Sequence, residues 1–154
     1  MEEKYFQDFE VGEKFISPTR TVTETDVILF AGLTGDNNLI HTDEMFAKKT
    51  QFKTRIAHGL LGLSLGMGLF QRLGIMASTA MAYLGIEKLE FTYPIRLGDT
   101  IRSEATVIDK RESKKGGRGI VRFRLEVFNH EDQLVQKGEH IVMIAARGGP
   151  KNPS

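Results

Sequence analysis

The chain has 154 residues, a formal net charge of +1 and no cysteine. A chain of this length fits one ordinary domain with a substantial buried core. The absence of cysteine excludes thiol nucleophiles, thiolate metal sites and disulfides, and the small net charge leaves little long-range field to attract nucleic acid. We expect a single domain over residues 1–146, followed by a flexible tail over residues 147–154, RGGPKNPS, and no binding of nucleic acid.

The N-terminal stretch MEEKYFQDFEVGEKF is acidic and mixed, which is not the pattern of a secretory or transit peptide. The longest uncharged stretch, Gly59 to Gln71, contains four glycines and is too short for a bilayer span of ~20 residues. We therefore expect a cytoplasmic protein that does not enter a membrane.

Capping signals predict two short helices in the first third of the chain. Thr23 to Asp26 is predicted to begin a helix that ends at Gly32 or Gly35, and a second helix is predicted from about Thr42 to Lys49. The segment from Asp36 to His41 should then form a loop between them.

A third, longer helix is predicted from about His58 to Leu73, where apolar residues cover the whole helical circumference. Such a helix must be enclosed by other parts of the fold. Gly62, Gly66 and Gly68 each cost ~0.5–1 kcal/mol relative to alanine inside a helix, and we expect close approach of neighbouring backbone to compensate.

Alternating apolar and polar residues predict four strands in the second half of the chain. Short connectors that are rich in turn formers indicate an antiparallel meander of these strands. One enclosed helix followed by antiparallel strands is an α+β domain. The strands are predicted near Leu89–Tyr93, Ile101–Val107, Val121–Val127 and Leu134–Ala145.

The run KRESKKGGRG, from Lys110 to Gly119, carries five basic residues and one acidic residue and is predicted to form a hairpin turn. Two interpretations remain open for it. It is either a solvated loop tip or a landing site for a phosphorylated ligand tail.

The most informative motif is Asp36-Asn37-Asn38-Leu39-Ile40-His41-Thr42-Asp43 followed by Ile56-Ala57-His58-Gly59. Together with the segments DFEVGEKF, RTVTETDVILFAGLTGD and FTYPIRLGDT, it resembles the MaoC-like family of (R)-specific enoyl-CoA hydratases and 3-hydroxyacyl dehydratases. The family pattern is Asp-x-Asn-Pro-(Leu/Ile)-His-x-Asp and then (Ile/Val)-(Ala/Val)-His-Gly. The resemblance covers nearly the whole chain and implies the hot-dog fold, an antiparallel sheet wrapped around one long central helix.

Two positions depart from the family pattern. Leu39 stands at the usual proline, which frees the backbone but removes no reactive group. Met67 stands where a serine is often present, and Ser64 lies too early to replace that serine. The resemblance therefore gives Ser64 no catalytic role.

The resemblance implies that Asp36 and His41 act as a dyad on one water molecule, and that the backbone N–H of Gly59 stabilises negative charge on a thioester oxygen. Asn38 and His58 would bind substrate or support the dyad. Considered without the family, Asp36 is an ordinary Asx-turn residue and His41 an ordinary buried histidine. Which of the two dyad members removes the proton is left open, because the pair titrates as a unit.

No cofactor and no metal are expected, since CoA is part of the substrate and no recognised zinc spacing occurs. The implied reaction is reversible syn addition of water to trans-2-enoyl-CoA, which gives (R)-3-hydroxyacyl-CoA. The alternatives are a 3-hydroxyacyl-ACP dehydratase with the same dyad, a hot-dog acyl-CoA thioesterase and a non-catalytic acyl-CoA-binding module.

The resemblance further implies a homodimer, and a dimer of dimers is a second possibility. The acyl tunnel and the cations that bind the CoA phosphates are assigned to two sets of side chains. The predicted tunnel residues are Leu65, Met67, Phe70, Met76 and Met81, and plain core packing is the open alternative for them. The predicted phosphate-binding cations are Lys48, Lys49, Lys53 and Arg55, with the Lys110–Arg118 hairpin as a further candidate.

Overall fold

The computed structural model describes residues 2–149, which contain four α-helices and six β-strands. The helices are α1 (Glu24–Thr34), α2 (Leu39–Thr42), α3 (Glu44–Ala47) and α4 (Gly59–Gln71). The strands are β1 (Lys14–Ile16), β2 (Arg20–Thr21), β3 (Ala80–Phe91), β4 (Thr100–Glu112), β5 (Arg118–Phe128) and β6 (Leu134–Ala145). A single 3₁₀ turn, Phe6–Asp8, precedes β1. The expected tail over 147–154 lies mostly outside the described residues, and Arg147 pairs with Asp8 at 2.8 Å.

The sheet is antiparallel throughout, in the order β1-β4-β5-β6-β3, and β2 also pairs with β4. The predicted meander is confirmed for β4, β5 and β6, but it is wrong for β3, which pairs with β6 instead of β4. The connection after Phe91 therefore passes β6 and β5 before the chain enters β4. Strands β1 and β2 have only three and two residues, too few for an alternation pattern to identify.

Strand β3 begins at Ala80, well before the predicted start at Leu89. Its side chains are exposed or half-buried along the whole strand, and its pairing with β6 shifts register three times. Because the strand has no clean buried face, its first half carries no period-two signal. β3 is the last strand of the sheet, so its outer edge has no partner strand among residues 2–149.

Helix α1 has the predicted ends. Thr23 and Asp26 form a capping box at its start, and Gly35 follows its last residue with a left-handed φ of 78°. The second predicted helix is present as α3, but it is shorter than the predicted range Thr42–Lys49. The loop predicted from Asp36 to His41 is wrong at its end, because His41 lies on the further one-turn helix α2.

The predicted central helix is confirmed as α4, which packs across the inner face of the sheet. A Cβ atom on Gly62 would lie 2.6 Å from Ile95 Cδ1, and one on Gly66 would lie 2.7 Å from Val127 Cγ2. The expected close approach is thus made by side chains and not by backbone. Gly68 has no such neighbour within 4 Å, so the expectation is wrong for this residue.

The helix is enclosed on the sheet side only. Leu60, Ser64 and Gly68 are exposed, and they share one face because they are four residues apart. The prediction of an enclosed helix therefore holds for the sheet side, while this face of α4 remains open in the single chain.

Two buried clusters fill the space between α4 and the sheet. Phe70 and Met76 belong to the first cluster and Met67 packs against it, whereas Leu65 packs against the second. These four side chains contribute to core packing, which is the alternative that the sequence left open. None of the five predicted tunnel residues, Met81 included, is among the residues that line the apolar cavity described below. Within residues 2–149, none of the helices combines the length and hydrophobicity needed to cross a bilayer.

Acid should destabilise this fold through His140, which is 2% exposed and hydrogen-bonded through Nδ1 to the Tyr83 hydroxyl. Burial lowers the pKa of His140 from 6.5 to about 4. The unfolded chain therefore binds a proton that the folded chain does not, and the free energy of unfolding should fall between about pH 6.5 and 4, by up to ~1.4 kcal/mol per pH unit. Urea denaturation at pH 7, 5.5 and 4.5 measures this loss.

His140→Phe should flatten part of that pH dependence. The matched control is His130→Phe, because the His130 side chain is 51% exposed. A midpoint that does not change between pH 7 and 4.5 would contradict the prediction, as would the same slope in both variants.

Candidate active site

The loop that carries Asp36 follows directly from the end of α1. The backbone N–H of Asp36 donates to Thr34 Oγ1 at 3.2 Å, and Asp36 Oδ1 accepts the N–H of Asn38 at 3.3 Å. Asn38 in turn caps α2, since its Oδ1 accepts the N–H of Ile40 at 3.1 Å. Asp36 thus makes the Asx-type contact expected of a turn residue, and it also lines the large cavity.

His41 lies on α2 and is 7% exposed. Its Nδ1 is 2.7 Å from the carbonyl oxygen of Ile56, so this nitrogen carries the proton and donates it. The other ring nitrogen, Nε2, is therefore an acceptor. Burial lowers the pKa of His41 below its usual value, and the Ile56 carbonyl and the Asp36 charge oppose this shift only partly. His41 is consequently a neutral base at physiological pH.

His58 connects both dyad residues to the start of α4. Its Nε2 is 2.9 Å from the backbone carbonyl oxygen of Asp36, to which it donates a hydrogen bond. Its ring lies against that of His41, with a centroid distance of 3.9 Å and an interplanar angle of 30°, and Phe30 contacts it at 4.9 Å. The position of His58 fits the support role that the sequence suggested.

Gly59 is the first residue of α4, so its N–H has no acceptor within the helix. A Cβ atom at this position would lie 2.9 Å from Cε1 of Phe91. Glycine therefore leaves open the approach to an N–H at the positive end of the helix dipole. The helix start is suited to accept a developing negative charge on a ligand oxygen.

These groups meet at one cavity of about 530 Å³. Its lining is mostly apolar, and six of the lining residues have polar side chains. This is the usual composition of a small-molecule site. The lining residues are Asp36, Ile40, His41, Phe52, Ile56, Ala57, His58, Gly59, Leu60, Phe91, Thr92, Tyr93, Pro94, Ile95, Val135 and Gln136.

Asp36, His41 and His58 also bring potential metal-ligand atoms within 4.8 Å of one another. One nitrogen of each ring is engaged by a backbone carbonyl, and the two rings are stacked. Lone pairs of stacked rings lie side by side and converge poorly on one ion. The arrangement suits acid–base chemistry better than a tetrahedral metal site.

Comparison with known proteins is consistent with this geometry. The profile of the MaoC-like domain matches residues 7–127. The chain belongs to the MaoC-like family. An (R)-specific enoyl-CoA hydratase of Rhodospirillum rubrum is 37% identical over 144 residues, which cover 94% of each chain. A 3-hydroxybutyryl-CoA dehydratase of Methylorubrum extorquens is 36% identical over 140 residues, or 91% of this chain and 83% of that protein.

The closeness extends to three dimensions. A crystal structure described as a monoamine oxidase regulatory protein of Archaeoglobus superposes with a TM-score of 0.88 at 37% identity, over 95% of this chain and 97% of the other. The fold is the hot-dog fold, as the resemblance implied. This MaoC-like protein is an enzyme of the hydro-lyase class.

The structure brings Asp36, His41, His58 and Gly59 together at the cavity, and Asn38 caps the helix that carries His41.

The cations that the sequence predicted to bind the CoA phosphates differ in their surroundings. Arg55 is engaged by Glu24 at 2.8 Å and by Glu44 at 3.4 Å. The side chains of Lys48, Lys49 and Lys53 are exposed. None of the residues 110–119 lines the cavity, and part of that hairpin borders a separate polar cavity with Arg147.

The sequence analysis did not identify Phe91 or Gln136 as lining residues. Phe91 belongs to a strand that the sequence predicted. Its contact with the start of α4 could not be predicted, because that contact depends on the pairing of β3 with β6. Gln136 left a signal, because it is a polar residue among the apolar positions of a strand that is buried along most of its length. Only the packing shows that this position faces the cavity.

The pKa of His41 provides a direct test of this geometry. Nuclear magnetic resonance titration of the ring protons should give a pKa below 6.5 in the wild-type protein. Asp36→Asn should lower the pKa of His41 further, since the Asp36 charge raises it, and His58→Phe should raise it, since His58 lowers it. An unchanged pKa in both variants would show that the three side chains are not in contact.

Proposed function

We propose that this MaoC-like protein is an (R)-specific enoyl-CoA hydratase, which reversibly adds water to trans-2-enoyl-CoA and gives (R)-3-hydroxyacyl-CoA. The main support is the 2.7 Å hydrogen bond from His41 Nδ1 to the Ile56 carbonyl, because it leaves Nε2 as an acceptor beside Asp36. The (R)-specific hydratase of R. rubrum, at 37% identity over nearly the full length, supports the same choice.

In the proposed reaction, a water molecule is held between the Asp36 carboxylate and His41 Nε2. His41 removes a proton from the water as its oxygen bonds to C3, and electron density moves to the thioester oxygen. The N–H of Gly59 stabilises that oxygen at the start of α4. His41 then returns the proton to C2 on the same face, so the elements of water add syn and the base is regenerated.

The carrier of the acyl group is either CoA or an acyl carrier protein, since both would present the same enoyl thioester to the dyad. We favour CoA because two relatives that match most of the chain are named for CoA thioesters. A thioesterase would attack the carbonyl carbon instead of C3, and it would release a thiol.

Loss of either dyad side chain should lower turnover strongly. Asp36→Asn and His41→Ala should each reduce hydration of crotonyl-CoA by about 10²-fold or more, because His41 is the proposed general acid–base group, a role that contributes 10²–10⁴, and Asp36 holds the water on which it acts. The double variant should be little worse than the poorer single one, since both groups act on one water molecule. Loss of enoyl absorbance measures turnover, and a thiol reagent in the same cuvette detects free CoA.

Ser64→Ala is the control variant, because Ser64 is exposed and its hydroxyl only donates to the Leu60 carbonyl. It should retain wild-type turnover. Thiol release in step with loss of absorbance would identify a thioesterase. No reaction with any enoyl-CoA or enoyl carrier protein would favour a non-catalytic binding module.

We also propose that the protein is a homodimer joined along the free edge of β3. The outer edge of β3 has no partner strand among residues 2–149, and a long exposed strand edge is a liability that proteins usually cover. Tyr83 and Leu84 on this strand are each 47% exposed, and Leu60 on the open face of α4 is 58% exposed. Pairing of two copies would cover these surfaces together.

Light scattering at micromolar concentration should give twice the chain mass. Leu84→Arg should shift the mass toward the monomer, because it places charge in the proposed interface. Val11→Arg should not, since Val11 is 62% exposed and precedes β1 at the opposite edge of the sheet. A monomeric wild-type protein that is fully active would refute the dimer.

A further inference from the structure

The dyad cavity contains a polar side chain that hydration does not require. Gln136 lies on β6, lines the cavity and is 2% exposed. Its cross-strand neighbours are Val127 on β5 and Phe91 on β3. Paired residues of an antiparallel sheet project to the same face, so the amide is flanked by two apolar side chains on the inner side of the sheet.

The amide group of Gln136 is accommodated by two glycines of α4. A Cβ atom on Gly62 would lie 3.0 Å from Gln136 Oε1, and one on Gly66 would lie 3.6 Å from Nε2. Gly62 and Gly66 follow Gly59 by three and seven residues, or ~4.5 and ~10.5 Å along the helix axis. The amide therefore lies between one and two helical turns beyond the proposed oxyanion donor, a distance that a short acyl chain can span.

Gln136 Nε2 is buried and has no hydrogen-bond partner within residues 2–149. A buried amide donor without an acceptor is unfavourable, and native proteins keep few of them. A ligand atom that pairs with this amide would remove that cost upon binding. The amide thus distinguishes ligands that carry a hydrogen-bonding group at the far end from ligands that do not.

The charge of the cavity lining restricts what that group can be. The lining contains no lysine or arginine among the described residues. A carboxylate beside Gln136 would be buried without a counter-charge from the cavity lining, which is strongly unfavourable. A neutral oxygen, such as a hydroxyl or a ketone, can accept the hydrogen bond without that desolvation cost.

We propose that Gln136 is a specificity-determining residue, which selects short 2-enoyl thioesters that carry a neutral oxygen near the end of the acyl chain. The proposal rests on the proposed hydratase function, and it concerns the substrate class of the same site. A purely apolar chain of the same length would bury the amide unpaired, and sites built to bind a polar group discriminate against analogues that lack it.

The test compares thioesters of equal length. For the wild-type protein, kcat/KM for 5-hydroxy-2-pentenoyl-CoA should exceed that for 2-hexenoyl-CoA by roughly tenfold or more, the effect of leaving one buried polar group unpaired. A third thioester, the 2-enoyl chain that ends in a carboxylate at the same position, should be the poorest of the three. Equal values for the hydroxylated and the apolar thioester, or a preference for the apolar one, would overturn the proposal.

Gln136→Met keeps the length of the side chain and removes the amide. It should abolish or reverse the preference, by lowering kcat/KM for the hydroxylated thioester and raising it for 2-hexenoyl-CoA. Gln71→Met is the matched control, because Gln71 is exposed at the end of α4 and does not line the cavity. It should retain the wild-type preference. If Gln136→Met prefers the hydroxylated thioester as strongly as the wild-type protein does, other residues determine the selectivity and the proposal is wrong.

The outcomes separate this proposal from the one on which it rests. If wild-type protein hydrates neither crotonyl-CoA nor the longer thioesters, the hydratase function itself is wrong. If it hydrates them without a preference for the hydroxylated chain, only the role of Gln136 is wrong. Should Gln136→Met fail to fold, as judged by its circular dichroism spectrum, the wild-type comparison of equal-length substrates still decides the proposal.

Discussion

Two hydrogen bonds between histidine rings and backbone carbonyls hold the segment 36–41 against the start of α4. His41 Nδ1 donates to Ile56 at 2.7 Å, and His58 Nε2 donates to Asp36 at 2.9 Å. Each segment supplies one donor and one acceptor, so neither can shift without losing a bond. Each bond also fixes the tautomer of its ring. The positions of the carboxylate, the free imidazole nitrogen and the helix start all depend on this reciprocal pair.

The glycines of α4 have different purposes on different faces of the helix. Gly59, Gly62 and Gly66 form one stripe toward the sheet, where Phe91, Ile95 and Val127 respectively come closest. Gly68 lies on the opposite, exposed face. The first three glycines lower the helix propensity of α4, but they allow close packing against the sheet and leave the N–H of Gly59 accessible. No contact within residues 2–149 explains the glycine at position 68.

Several polar side chains are buried at the inner side of the sheet or near the start of α4. His41, His58, Gln136 and His140 are each 2–7% exposed, although the surrounding clusters are apolar. Burial keeps the imidazole of His41 neutral and thus basic, which acid–base chemistry requires. The same burial makes protonation of the folded chain unfavourable. Burial of histidine thus favours the proposed chemistry at His41 and reduces stability in acid at His140. Such conflicts are common when a site is built into a core.

The sequence alone determined the elements that local chemistry specifies. The capping box of Thr23 and Asp26 and the left-handed Gly35 bound α1, and the apolar run after His58 forms α4. The motif also singled out Asp36, His41 and Gly59, because their order and spacing match a family pattern, and all three line the cavity. These features depend on neighbours a few positions away, or on a pattern that the chain shares with its relatives.

Only the tertiary structure decided the rest. Strand β3 pairs with β6, so Phe91 reaches Gly59, and Gln136 faces the cavity, while Phe70 and Met76 are turned into the core. Each of these contacts joins residues that are far apart in sequence, and their local patterns are compatible with either side of the sheet or helix. A strand that is half-buried on both faces carries no periodic signal of its partner, and the pairing is set by the packing of the whole sheet against α4.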